Sequence, residues 1–162
     1  MDSNKLNNEW TLWFHSPIEP NWGIDSYKNI YSIKTIEEFW EVYNKLKSIY
    51  VENAMFFLMK GDIPPLWESS ENIDGGCWSF KIYKKSVFDT WLDLSINMLC
   101  ETLTTNIGDS DIINGLSISP KKTFSIIKIW NNDSSKNDNN LINNSIKNIN
   151  LDESLYKSHK GR

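Results

Sequence analysis

At 162 residues, 40% of them hydrophobic and 13% aromatic, the chain is long enough to bury one core of ordinary domain size and too apolar for a disordered segment. A formal net charge of −4 excludes a protein that grips long stretches of nucleic-acid backbone, so any nucleic-acid contact is expected to be local and terminal. Its two cysteines, Cys77 and Cys100, lack CxxC or Cys–His spacing, so neither a zinc site, another metal or cofactor, nor a disulfide framework is expected.

No run approaches the ~20 apolar residues of a membrane span, and the polar start Met1-Asp2-Ser3-Asn4-Lys5 has no signal-peptide apolar region. A cytoplasmic or nuclear compartment is expected. Residues 1–8 read as a flexible arm and residues 9–162 as a single domain. Trp10, Leu12 and Phe14 alternate with Trp13 in a first strand, and Tyr27 to Ile33 reads as a second. Between them a loop through Pro17 and Pro20 carries Trp22. Thr35-Ile36-Glu37-Glu38 is a capping box, opening a helix whose stripe runs through Phe39, Trp40, Tyr43, Leu46 and Tyr50.

Asn53 to Met59 is an apolar run expected as a central strand. Cys77 to Lys84 alternates again, with Trp78, Phe80 and Ile82 on one side. Ser86 is expected to cap a helix reaching about Leu103. Residues 104–114 read as a polar loop, and Leu116–Ser119 with Phe124–Trp130 as a β-hairpin. Residues 131–140 are low-complexity and expected as a loose surface loop. A helix over Leu141–Ile149 and a short strand at Leu155-Tyr156 complete the reading. The predicted class is α+β, an antiparallel curved sheet with helices on one face. Trp10, Trp13, Trp78 and Trp91 are assigned to packing, His15 and His159 to surface or structural duty, and Cys100 to a buried apolar position.

Two tryptophans stand apart from these stripes. Pro64-Pro65-Leu66-Trp67-Glu68 fixes φ at two prolines and presents an aromatic plane with a carboxylate beside it. Trp22 occupies a similar proline–glycine loop, Glu19-Pro20-Asn21-Trp22-Gly23. Two indoles can sandwich a flat ring, and stacking on a base contributes about 1–3 kcal/mol. A cationic ring gains more from the negative indole face. A neighbouring carboxylate accepts two parallel N–H donors, which guanine offers at N1 and N2. The slot therefore suits 7-methylguanine.

The ordered set Glu9-Trp10-Thr11-Leu12-Trp13-Phe14, Trp22, Thr35 to Trp40, Ile63 to Glu68, Gly75-Gly76-Cys77-Trp78, Trp91 and Ile129-Trp130 resembles the translation initiation factor 4E family, which binds the messenger RNA cap. The resemblance implies about eight strands in a curved antiparallel sheet, backed by about three helices on its convex face. It implies that Trp22 and Trp67 stack on the methylated base, that Glu68 accepts its edge protons, and that Trp130 lies against the N7-methyl. Where the family has an arginine this chain has Cys77, and Ile126 replaces a family lysine. Lys121 aligns with a second family arginine, and Lys128 shares a strand face with Trp130. Lys121, Lys122 and Lys128 are therefore expected to hold the cap triphosphate, helped by Lys160 and Arg162. Ile36, Trp40, Leu92, Ile96 and Leu99 match positions where partners of the family, a scaffold factor or an inhibitor, lay an amphipathic helix.

The resulting expectation is a monomeric, non-enzymatic protein that binds capped mRNA and recruits a scaffold for translation initiation. A cap-binding repressor or decoy is the alternative, and a tryptophan-lined carbohydrate-binding module a more distant one. Glu68 beside phosphate-binding lysines argues against sugar. A cap-hydrolysing enzyme would need clustered carboxylates for metal ions, and Asp62 and Glu71 have no evident partners for that role.

Overall fold

The structure, a computed structural model, describes residues 4–161. Seven antiparallel strands form one sheet: β1 (Lys5–His15), β2 (Lys28–Thr35), β3 (Met55–Lys60), β4 (Gly76–Tyr83), β5 (Ile113–Pro120), β6 (Phe124–Asn131) and β7 (Leu155–Ser158). Their spatial order is β2-β1-β3-β5-β6-β4-β7. Three α-helices, α1 (Ile36–Lys45), α2 (Ser48–Asn53) and α3 (Val87–Leu99), complete the regular structure with several short 3-10 turns.

The period of two along each strand sorts its side chains between two faces. Trp10 and Leu12, Phe56 and Leu58, Trp78, Phe80 and Ile82, Leu116 and Ile118, and Ile127 and Ile129 point one way. They pack with Phe39 and Tyr43 of α1, Val51 of α2 and Trp91, Leu94 and Met98 of α3 in one buried cluster. The alternate residues Phe57, Met59, Cys77 and Trp130 form a smaller cluster on the opposite face, joined by Trp13, Tyr27 and Met55. All helices thus cover one side of the sheet, and the other side is left to loops.

The capping box forms as read. Thr35 Oγ1 accepts from the Glu38 amide at 3.1 Å, and the Glu38 carboxylate accepts from the Thr35 amide at 3.2 Å. Gly75 and Gly76 are required by close approach: a Cβ on Gly75 would lie 1.8 Å from the Asn131 carbonyl oxygen, and one on Gly76 2.4 Å from that of Lys157.

The strand count is near the expected one, with about eight expected and seven formed among the described residues. Several other expectations are corrected. The arm assigned to residues 1–8 is strand from Lys5 onward: Lys5 pairs with Thr35, and the Ile36 amide donates to the Asn4 carbonyl at 2.9 Å; Met1 to Ser3 lie outside the described residues. The first long helix breaks at Leu46-Lys47, leaving Tyr50 exposed on α2.

Ser86 makes no side-chain cap. A 3-10 turn over Lys84–Ser86 runs directly into α3, so the Val87 amide already donates to the Lys84 carbonyl. Leu141–Ile149 forms no α-helix; Ile142 and Ile146 instead insert singly into the core. The loop 131–140 is tied rather than loose. Buried Asn131 donates to the carbonyls of Asp133 and Lys136, and accepts from the Gly76 amide and the Tyr156 hydroxyl. His15 and His159 are buried, the structural of the two duties expected for them, whereas Cys100, expected to be buried, is exposed at the end of α3.

Candidate functional site

On the face without helices, two loops rise over the sheet and enclose a cavity of about 250 Å³. Met55 and Phe57 of β3, Ser117 and Ser119 of β5 and Lys128 and Trp130 of β6 contribute to its lining from the strands. Strand register explains their convergence, since Phe57 sits opposite Ser117, Ser117 opposite Lys128, and Cys77 opposite Trp130. Trp130 is 6% exposed and its indole N–H donates to Ser117 Oγ at 2.9 Å, which fixes the ring as floor.

The first loop supplies Trp22. The Glu19 carboxylate accepts from the Asn21 amide at 2.9 Å, and Asn21 Oδ1 accepts from the Gly23 amide at 2.8 Å, bending the chain on both sides of the tryptophan. One face of the Trp22 indole lies flat on His15, with ring centroids 4.2 Å apart and planes 7° from parallel. His15 Nε2 donates to the Asn21 carbonyl at 2.8 Å, so the same imidazole holds both the ring and the backbone before it. Trp22 remains 50% exposed. Beneath it the rings continue: His15 against Tyr27, Tyr27 edge-on to Phe57, and Phe57 edge-on to Trp130.

The second loop supplies Trp67 and Glu68. Asn72, fully buried, holds it from inside by donating to the carbonyls of Pro64 at 3.1 Å and Leu66 at 2.9 Å. Trp67 is left 38% exposed, and Glu68 is exposed. Burial, then the negative charge of Glu68, pushes the Tyr27 hydroxyl up to about 12. Tyr27 therefore stays a neutral wall group near neutral pH, and Glu68 supplies acidic character to the rim.

The structure thus brings Trp22, Trp67, Glu68, Trp130 and Lys128 to one cavity. It does not bring Lys121 and Lys122 to the wall. Both are exposed at the hairpin tip, beyond Ser119, where the Lys121 amide donates to the Phe124 carbonyl at 2.8 Å. Lys160 pairs with Asp74, and Arg162 lies outside the described residues. Tyr27, Phe57, Ser117 and His159 line the cavity without having been singled out as site residues, and His15 supports it from behind. The alternation of β1 places His15 on the face of Trp13 and could have flagged it; His159 follows a short edge strand and has no local signal.

Across the sheet, Ile36 and Trp40 are 44% and 41% exposed and share a narrow apolar groove with Leu6, Ile96 and Leu99. Leu92 lines an adjoining recess with Ile96, Asp89 and Asp93. Among the described residues no cluster of three or more His, Cys, Asp or Glu is arranged to hold a metal ion, and no helix is long and apolar enough to cross a membrane.

The family model described as eukaryotic initiation factor 4E matches residues 5–162. The chain belongs to that family. Isoform 4E of Capsicum annuum is 32% identical over 134 residues, covering 78% of this chain and 64% of that protein. The initiation factor 4E of Dictyostelium discoideum is 32% identical over 131 residues, covering 77% and 51%. The chain therefore spans between half and two-thirds of the length of these relatives. Among solved structures, C. elegans eIF4E-3, in complex with the 4E-binding protein Mextli and cap analog, superposes with a TM-score of 0.82 at 25% identity, covering 97% of this chain and 93% of that one. The sheet with its one-sided helices is the cupped hand of the 4E fold.

Proposed function

We propose that this 4E family member is a translation initiation factor that binds the 7-methylguanosine cap of mRNA in the loop-covered cavity. The observation that carries the reading is the meeting of two half-exposed indoles, a carboxylate and a lysine in one aromatic-floored space. Trp22 and Trp67 stack on the base, and the cationic methylated ring is favoured over plain guanine by the electron-rich indole faces. Glu68 accepts the N1 and N2 protons. Trp130 contacts the N7-methyl, and Lys128 takes the first phosphates. Lys121 and Lys122 meet the outer phosphates or the following nucleotides from the hairpin tip. Lysines act as point charges, so the phosphate geometry is less tightly specified than by arginine forks.

The solved C. elegans relative, complexed with a cap analog and with Mextli, supports both halves of this assignment. On the helix side, the groove of Ile36, Trp40, Ile96 and Leu99, with Leu92 in the recess beside it, receives an amphipathic helix of a scaffold factor or inhibitor. The protein acts as a cytoplasmic binder, not a catalyst.

Retention on 7-methyl-GTP resin, with elution by free 7-methyl-GTP and not by GTP, is the expected result. Trp67→Ala should weaken affinity by about 1–3 kcal/mol, on the scale of one lost stacking contact. Retention unchanged by both Trp67→Ala and Glu68→Gln would refute the slot.

A further inference from the structure

Cys77, standing where the family carries an arginine, faces an imidazole. Its Sγ lies 3.2 Å from His159 Nε2, and His159 Nδ1 lies 2.6 Å from the carbonyl oxygen of Asn72. A carbonyl can only accept, so Nδ1 carries the proton and Nε2 presents its lone pair to the thiol. The Asn72 side chain is tied to Pro64, Leu66 and Asn114, which anchors the backbone carbonyl that meets the imidazole. A thiol, a base in contact with it, and a third group orienting the base make up an activated nucleophile. Both Cys77 and His159 belong to the cavity wall, and both are otherwise buried, so reagents reach them only through the cavity.

We propose that Cys77 and His159 form an activated thiol–imidazole pair, a covalent modification site for small thiol-alkylating electrophiles within the cavity. His159 Nε2 takes the thiol proton while the sulfur electron pair forms the new S–C bond. With iodoacetamide the C–I bond breaks and iodide leaves with its electrons; the proton passes from the imidazolium to solvent. The adduct then fills space beside Trp130 and excludes the cap base. That last consequence rests on the cap-binding reading; the chemistry of the pair does not.

The ionisable groups around the pair are Lys128, Glu68 and Tyr27 on the cavity wall, Lys157 directly opposite Cys77 on β7 and Tyr156 beside it, with the Lys160–Asp74 ion pair next to His159 in the chain. Cys100, exposed at the end of α3, serves as internal control.

The test is timed iodoacetamide labelling of the full chain, read by peptide mass spectrometry between pH 6 and 8. An ordinary thiol loses about tenfold in thiolate per pH unit in this range. Cys77 is expected to label at a rate that changes less than threefold, and at pH 6 at least tenfold faster than Cys100. In His159→Gln that advantage disappears. A Cys77 rate that falls tenfold per unit in the unmodified sequence overturns the proposal without reference to any variant, as does an advantage that survives His159→Gln. Saturating 7-methyl-GTP should slow Cys77 labelling at least fivefold. Fast labelling without such protection, in a chain that is retained on cap resin, would overturn the shared cavity. A chain that labels as expected but is not retained on cap resin would refute the cap-binding reading and leave the thiol pair standing.

Discussion

Trp22 owes its plane to His15. A stacked aromatic pair contributes about 0.5–1.5 kcal/mol beyond its buried area, and here it also orients the wall of a slot. His15→Ala is expected to lower 7-methyl-GTP affinity about 2- to 13-fold, whereas His15→Phe keeps most of it. His15 Nδ1 has no hydrogen-bond partner among the described residues, so a phenyl ring forfeits only the bond to the Asn21 carbonyl. Tryptophan-quenching titration of the three proteins measures this; equal losses in both variants would show that stacking is not what matters. Lys128→Ala should weaken the triphosphate form far more than the bare methylated nucleoside, in parallel titrations with the two ligands. That Trp22 and Trp67 stand apart from the core was legible in the sequence, because proline and glycine leave a tryptophan no local core to join. The ring behind Trp22 was not, because a histidine in an alternating strand reads the same whether it faces solvent or an indole.

At the scale of elements, the capping box and the strand alternations were readable because their signals are local. Thr35→Ala should cost about 1 kcal/mol in thermal unfolding, the usual worth of an N-cap, with little change in cap affinity. Gly75→Ala should be far more damaging, since the added methyl meets backbone and not a flexible side chain; reduced soluble yield or a large fall in unfolding temperature is the expected readout. What was not readable is long-range. The asparagine-heavy segment looked formless because polar residues rarely drive folding. Yet buried Asn131 bonds to Gly76, Tyr156 and two carbonyls of its own loop. Likewise Ile142 and Ile146 carry helical spacing, but each fills a separate gap in a core built by other elements.

The whole molecule divides its labour between two sides of one sheet. Trp10, Leu12 and Leu58 commit one face to the helices, and Trp13, Phe57 and Trp130 commit the other to the cavity. The groove around Trp40 and the slot around Trp67 are thus separated by the thickness of the sheet. Trp40→Ala should abolish binding of an amphipathic scaffold helix in a peptide titration while leaving retention on 7-methyl-GTP resin intact; loss of both would mean that the two faces communicate.

One buried amide couples what sequence distance keeps apart. Asn72 grips the backbone on either side of Pro65, takes a bond from Asn114 in the middle of the sheet, and offers its own carbonyl to His159 near the chain's end. An Asn72→Ala chain would release the Trp67 wall by removing the side-chain bonds, while the backbone carbonyl that meets His159 stays in place but loses the anchorage beside it. The proposed recognition by stacking and the proposed reactivity at sulfur thus share a single support.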